Sequence, residues 1–120
     1  GFQNFYRSQR RKKMSNRIMR LLVLFDLPTG TPEERRDYMQ FRKFLIKDGY
    51  DMLQYSVYSR ITANHDDANL HLAHIRCHLP PAGSIRALLV TEKQYASMYI
   101  LLGQRTATEN LLRDNDVVEF

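Results

Sequence analysis

Thr31-Pro32-Glu33-Glu34 constrains this chain more than any other stretch, because it marks the first turn of a helix on three counts. Thr31 suits the N-cap, Pro32 suits the first helical position, where its missing N–H costs nothing, and Glu34 stands where a capping box needs a carboxylate. Tyr38, Phe41 and Leu45 then recur at helical spacing with Phe44 flanking the same face, and Gly49 supplies a left-handed end. A helix with one apolar face must be laid against something. The segment before it, Met19–Phe25 (MRLLVLF), is a nearly continuous apolar run too short for a helix, closed by the breakers Asp26-Leu27-Pro28-Thr29-Gly30. It reads as a buried strand leaving into a turn.

The remaining elements follow from the same signals. Met52–Ile61 (MLQYSVYSRI) is rich in β-branched and aromatic residues and reads as one long bent strand or two strands joined by a tight bend. Its alternation puts Leu53, Tyr55, Val57 and Ile61 on one side and Gln54, Ser56, Tyr58 and Arg60 on the other. Asn64, Asp66 and Asp67 are N-cap candidates for a second helix over Leu70–Leu79, with Leu72, Ile75 and Leu79 on its apolar face and Pro80-Pro81-Ala82-Gly83 as its stop. Ser84–Thr91 (SIRALLVT) is a further strand, and Tyr99–Leu102 and Val117–Phe120 are two short strand candidates separated by a mostly polar loop. Strand, helix, strand pair, helix, strand is the α+β, ferredoxin-like βαββαβ order: an antiparallel sheet with both helices on one face. The late strands exceed that unit and are expected to pair with a partner's sheet edge in a dimer.

Charge divides the chain. The net +5 comes from residues 1–17, which carry six basic residues and no acid, leaving twelve basic against thirteen acidic residues in 18–120. Residues 1–17 therefore read as a basic flexible tail, with the stretch before Met14 open to being a vector-derived or processed end, and 18–120 as a single domain. If native, Phe2, Phe5 and Tyr6 beside the basic run would form an arm able to stack on bases. A basic pI set by a tail is no sign that the folded part binds nucleic acid. Cys77 is the only cysteine, which excludes an internal disulfide and a thiolate zinc cage and fits a reducing, cytoplasmic setting. No apolar run approaches the roughly 20 residues of a membrane span.

No phosphate-binding loop, dinucleotide fingerprint or zinc-helix motif occurs. Asp26 is the first candidate: a carboxylate ending a buried strand is fixed yet reachable, and a hard oxygen ligand there suits Mg²⁺ against a phosphate. The plainer reading is that it organises its turn. One carboxylate is too few for phosphodiester cleavage, unless a two-fold dimer brings a second Asp26 alongside. His71, His74 and His78 share a helix face with His65 nearby. Imidazoles at that spacing can bind a transition metal, but no carboxylate is spaced to join them on that face, which favours a solvated, titratable surface. Arg35, Arg36, Arg42, Lys43 and Lys47 of the first helix are offset by Glu33, Glu34, Asp37 and Asp48, which suggests a surface laced with ion pairs. Arg36, Lys43 and Lys47 nonetheless share one stripe. With Arg17 and Arg20, these helix residues are the candidate phosphate contacts.

The stretch Arg20–Ile61 resembles the N-terminal half of the CRISPR-associated Cas-two family, particularly its type II branch. The likeness is carried by Phe25-Asp26-Leu27-Pro28, the Thr-x-Glu-Glu-Arg helix start, Phe41-Arg42-Lys43-Phe44-Leu45, Gly49-Tyr50 and Gln54-Tyr55-Ser56-Val57-Tyr58. Val90-Thr91-Glu92-Lys93-Gln94 and the apolar run ending at Gly103 extend it over roughly residues 18–103. The resemblance implies a symmetric homodimer whose late strands complete the partner's sheet, and assembly between dimers of the Cas-one integrase across a duplex DNA protospacer. It also implies that Asp26 matches the family's metal-binding aspartate, with Mg²⁺ at the two-fold axis. Two function classes are thus expected, a DNA-binding scaffold for spacer acquisition and a Mg²⁺-dependent endonuclease using paired Asp26 side chains. An RNA-binding, toxin-like ferredoxin fold is a distant third. The scaffold is favoured, because each chain offers one plausible catalytic carboxylate and no clear general base.

Overall fold

A computed structural model describes residues 18–106. The expectations for residues 1–17 and for Val117–Phe120 lie outside that range. The elements are β1 (Met19–Asp26), α1 (Pro32–Lys47), β2 (Asp51–Gln54), β3 (Val57–Thr62), α2 (His65–Arg76), β4 (Ser84–Thr91) and α3 (Glu92–Ala96). The sheet order is β2-β3-β1-β4, and every neighbouring pair is antiparallel. Sequence-adjacent β1 and β2 are thus separated in space, as the βαββαβ ferredoxin-like fold requires.

The first helix starts as its residues dictate. The Thr31 side chain accepts from the Glu34 N–H at 3.1 Å, and the Glu34 carboxylate accepts from the Thr31 N–H at 3.0 Å. The helix ends at Asp48, and Gly49 follows at φ 91°, where a side chain would meet the Arg60 guanidinium. The core forms where α1 meets the inner face of β1. Leu21, Val23 and Phe25 alternate inward onto Tyr38, Phe41 and Leu45, with Tyr58, Tyr50, Leu27 and Ile75 closing the cluster. Phe25 is its hub, edge-on to Phe41 at 5.2 Å and stacked on Tyr58 at 5.6 Å.

Several expectations are corrected. Of the two forms open for Met52–Ile61 the chain takes the second, two strands, joined at Tyr55-Ser56 with Ser56 at φ 63°. The hairpin carries a bulge between Met52 and Gln54, which shifts the side-chain parity. On β3 the alternation holds, and its inner side is the one with Tyr58, which lies in the core, while Ile61 on the other side is exposed. The second helix begins five residues earlier than expected, capped by Asn64, and buries Ala68, His71 and Ile75 while Leu79 is exposed. Tyr99–Leu102 forms no strand; Leu101 and Leu102 are 94% and 96% exposed. The short α3 adds to the expected elements, and Thr91 and Gln94 start it with a second reciprocal capping box. No helix among the described residues is long and apolar enough to cross a membrane.

Candidate functional site

The sheet has two unlike faces. The inner face is covered by α1 and α2. The outer face carries the other parity of β1: Arg20, Leu22, Leu24 and Asp26. In register beside them stand Val57, Ser59 and Ile61 on β3 and Arg86, Leu88 and Val90 on β4. The short α3 packs against β1 and β4 at the Met19 end of this face. Of the other side chains on this face, Leu22 and Ser59 are buried, while Leu24, Ile61 and Leu88 are exposed.

Asp26 ends this face, exposed and paired in register with Ser84. Its backbone is held closely by the turn that leads into β4. Gly83 sits at φ 109°, and a Cβ there would stand 2.7 Å from the Asp26 carbonyl oxygen and 2.6 Å from Leu27 Cδ2. Only glycine fits both the dihedral and the approach. The Asp26 carboxylate has no hydrogen bond or ion pair among the described residues, so no side-chain bond to its turn is formed. A hard, unpaired oxygen donor of this kind fits Mg²⁺, which typically takes one or two carboxylates and completes its shell with water and phosphate.

The candidate phosphate contacts divide. Arg17 lies outside the described residues. Arg20 is turned to internal work: it is 2% exposed, forks onto Glu92 at 2.8 and 3.2 Å, and lies 4.3 Å from the centre of the Tyr95 ring. That clasp fixes α3 to the sheet and leaves the guanidinium unable to reach a phosphate. Arg35 donates to the Thr29 carbonyl at 3.1 Å, bracing the β1–α1 turn, and Arg42 donates to the Tyr58 hydroxyl at 2.9 Å. Arg36, Lys43 and Lys47 are exposed and carry no ion pair among the described residues. The expected lacing of α1 by ion pairs is absent there. Glu34 is engaged in the cap and Asp48 with two histidines, so the basic stripe faces solvent unneutralised.

Sequence reasoning missed the most connected polar cluster. Asp48 accepts from His71 Nδ1 at 2.8 Å through Oδ2 and meets His74 Nδ1 at 3.0 Å through Oδ1. His71 Nε2 lies 3.3 Å from Asp67 Oδ1. Burial raises the Asp48 carboxyl, but hydrogen bonds from His71 and His74 and their charge outweigh it and hold the group below the ordinary aspartate value. The solvated-face reading therefore fails for His71, which is only 6% exposed. The carboxylate that joins the histidines comes from the end of α1, some 23 residues away in sequence, and no spacing rule on α2 finds it.

The sequence profile described as CRISPR associated protein Cas2 matches residues 19–98. A protein of Acidovorax ebreus (strain TPSY) named CRISPR-associated endoribonuclease Cas2 is 53% identical over 85 residues, 71% of this chain and 83% of its own length. A protein of the same name from Treponema denticola is 46% identical over 100 residues, covering 83% of this chain and 98% of that one. A third, from Campylobacter jejuni, is 38% identical over 107 residues, 89% of this chain and 75% of its own length. The matched span runs from β1 through α3, taking in the whole sheet, the unpaired Asp26 and the Arg20–Glu92 clasp, and on that ground the chain belongs to the CRISPR-associated Cas2 family.

Proposed function

We propose that the protein serves CRISPR spacer acquisition as a homodimer that binds duplex DNA and bridges integrase subunits. The observation that carries this reading is the exposure of the apolar side chains Leu24, Ile61 and Leu88 on the outer face of the sheet, which ends at Asp26. Two copies apposed through these faces would bury the exposed leucines on both and turn both helical layers outward. Each helical layer then presents Arg36, Lys43 and Lys47 to solvent, free to meet phosphates, and phosphate contacts position a duplex without reading its sequence.

A dimer mass by light scattering is expected for the wild type. Leu88→Glu should give a monomer with unchanged helical circular dichroism, since the residue is 55% exposed in the single chain and its replacement disturbs no core packing. A monomeric wild type, or a dimeric Leu88→Glu, would overturn the interface. Duplex binding is tested separately by the double variant Arg36→Glu, Lys43→Glu. The slope of log affinity against log salt should fall by about 0.9 for each phosphate that is no longer neutralised, with the dimer intact. An unchanged slope removes the stripe from the reading.

A second reading has its own support. The relatives are named endoribonucleases, and Asp26 is a free carboxylate at the end of the proposed interface. In that reading the Asp26 carboxylates of the two copies would hold Mg²⁺, which would supply Lewis-acid stabilisation of the scissile phosphate. The chain's own part is to hold Asp26 still, through the Gly83 approach and the β1–β4 pairing, and to draw the nucleic acid with α1.

A further inference from the structure

We infer that Asp48, His71 and His74 form a binding site for a divalent transition ion of the Zn²⁺ type, at the far end of α1 from Asp26 and on the opposite side of the sheet. One ring nitrogen of each histidine and one carboxylate oxygen of Asp48 all lie within 4.8 Å of one another. Ligand atoms around a tetrahedral Zn²⁺ with bonds of about 2.0–2.1 Å stand roughly 3.3 Å apart. The donor atoms would have to draw in by about an ångström to close on one ion. Two imidazoles and a carboxylate suit Zn²⁺ or Co²⁺ and not Mg²⁺, which prefers oxygen.

The surroundings of His71 make the second argument. Its ring is buried, yet both nitrogens face carboxylates, Asp48 at Nδ1 and Asp67 at Nε2. The protonated ring can donate to both, but the neutral ring has one N–H and leaves one of those two acceptors facing a lone pair. A cation on the Asp48 side resolves this, with Nε2–H donating to Asp67 and Nδ1 free to ligate. A ligating histidine whose other nitrogen donates to a carboxylate is the usual outer-shell arrangement of zinc sites. Charge agrees: Asp48 and Asp67 together carry −2, which a divalent ion neutralises. Lys47 is on the rim of the same cleft, but it is exposed and free to swing away. His78 also lines the cleft; its Nδ1 is taken by the His74 carbonyl at 2.8 Å and its ring stacks on Phe44. The cleft, about 330 Å³, leaves the fourth position to water.

The donors are held before any ion arrives. The Asp48 N–H is bonded to the Phe44 carbonyl at 2.9 Å, and Arg60 binds the Asp48 carbonyl. His71 and His74 stand one turn apart on α2. An ion there would staple the end of α1 to α2.

The test uses the full chain stripped of metal with a chelator and titrated with Co²⁺, whose visible bands report four-coordinate nitrogen and oxygen ligation. One ion per chain is expected, displaced by Zn²⁺ and not by Mg²⁺, with a higher melting temperature in Zn²⁺. His74→Ala and Asp48→Asn should each weaken Co²⁺ binding by more than ~100-fold, beyond the outer-shell effect. Cys77→Ser and His78→Ala should leave it within a few-fold. His74 is partly exposed, so its variant is expected to fold, which circular dichroism checks. Absence of the bands in the wild type overturns the site. So does their survival in both ligand variants, which would place the ion elsewhere.

Discussion

Asp26→Asn is expected to reduce any authentic Mg²⁺-dependent nuclease activity by two or more orders of magnitude while leaving the dimer and duplex binding unchanged. The substitution preserves shape and removes the charge that would bind a cation. The folded chain should tolerate it, because the Asp26 side chain is exposed and has no hydrogen bond among the described residues to lose. An effect on cleavage is therefore not a disguised effect on stability. Spacer acquisition should survive, since holding a duplex by its phosphates needs cations and shape, and no activated water. The measurements are a metal-dependent cleavage assay and an acquisition assay on the same preparation, with dimerisation checked by light scattering. Loss of acquisition with fold and dimer intact would sink the pure-scaffold reading. Cleavage at the wild-type rate would remove Asp26 from any catalytic role.

Phe41→Ala should destabilise the fold by about 3–5 kcal/mol, the range for deleting a buried aromatic ring. Phe41 is 2% exposed and lies edge-on to Phe25, so its removal opens a cavity at the hub of the core. Domains of this size have about 5–15 kcal/mol to lose, so the variant should be partly unfolded at physiological temperature unless dimerisation rescues it. Leu70→Ala, on the exposed side of α2, should change stability by no more than about 0.5 kcal/mol. Urea melts of the two variants check both. A small loss at Phe41 would mean that the core re-collapses around Phe25 and Phe44.

Local signals carry far in this chain where the deciding interactions are local. The capping box at Thr31 and Glu34, the apolar run before Asp26 and the Tyr38-Phe41-Leu45 face each specify their own element, and each is found in place. The α3 capping box at Thr91 and Gln94 is an equally local signal, but the five residues it starts are too few to show an apolar period beside it. Alternation separates the two faces of β3 but does not say which is inner: the side with Tyr58 packs into the core and the side with Ile61 does not.

Sequence alone determined the βαββαβ order, the family and Asp26 as the carboxylate that ends the first strand, because strand runs, caps and motif register are all short-range properties. Tertiary structure alone decided which cations are free and which histidines are not. Arg20 reads as one more surface cation until Glu92, 72 residues away, is folded onto it. On α2 only Asp67, one turn before His71, stands at helical spacing, and the carboxylate that joins His71 to His74 arrives only when α1 ends against them and delivers Asp48. Charge and ligation depend on distance in space, and hydrophobic packing of α1 and α2 onto one face of the sheet sets those distances.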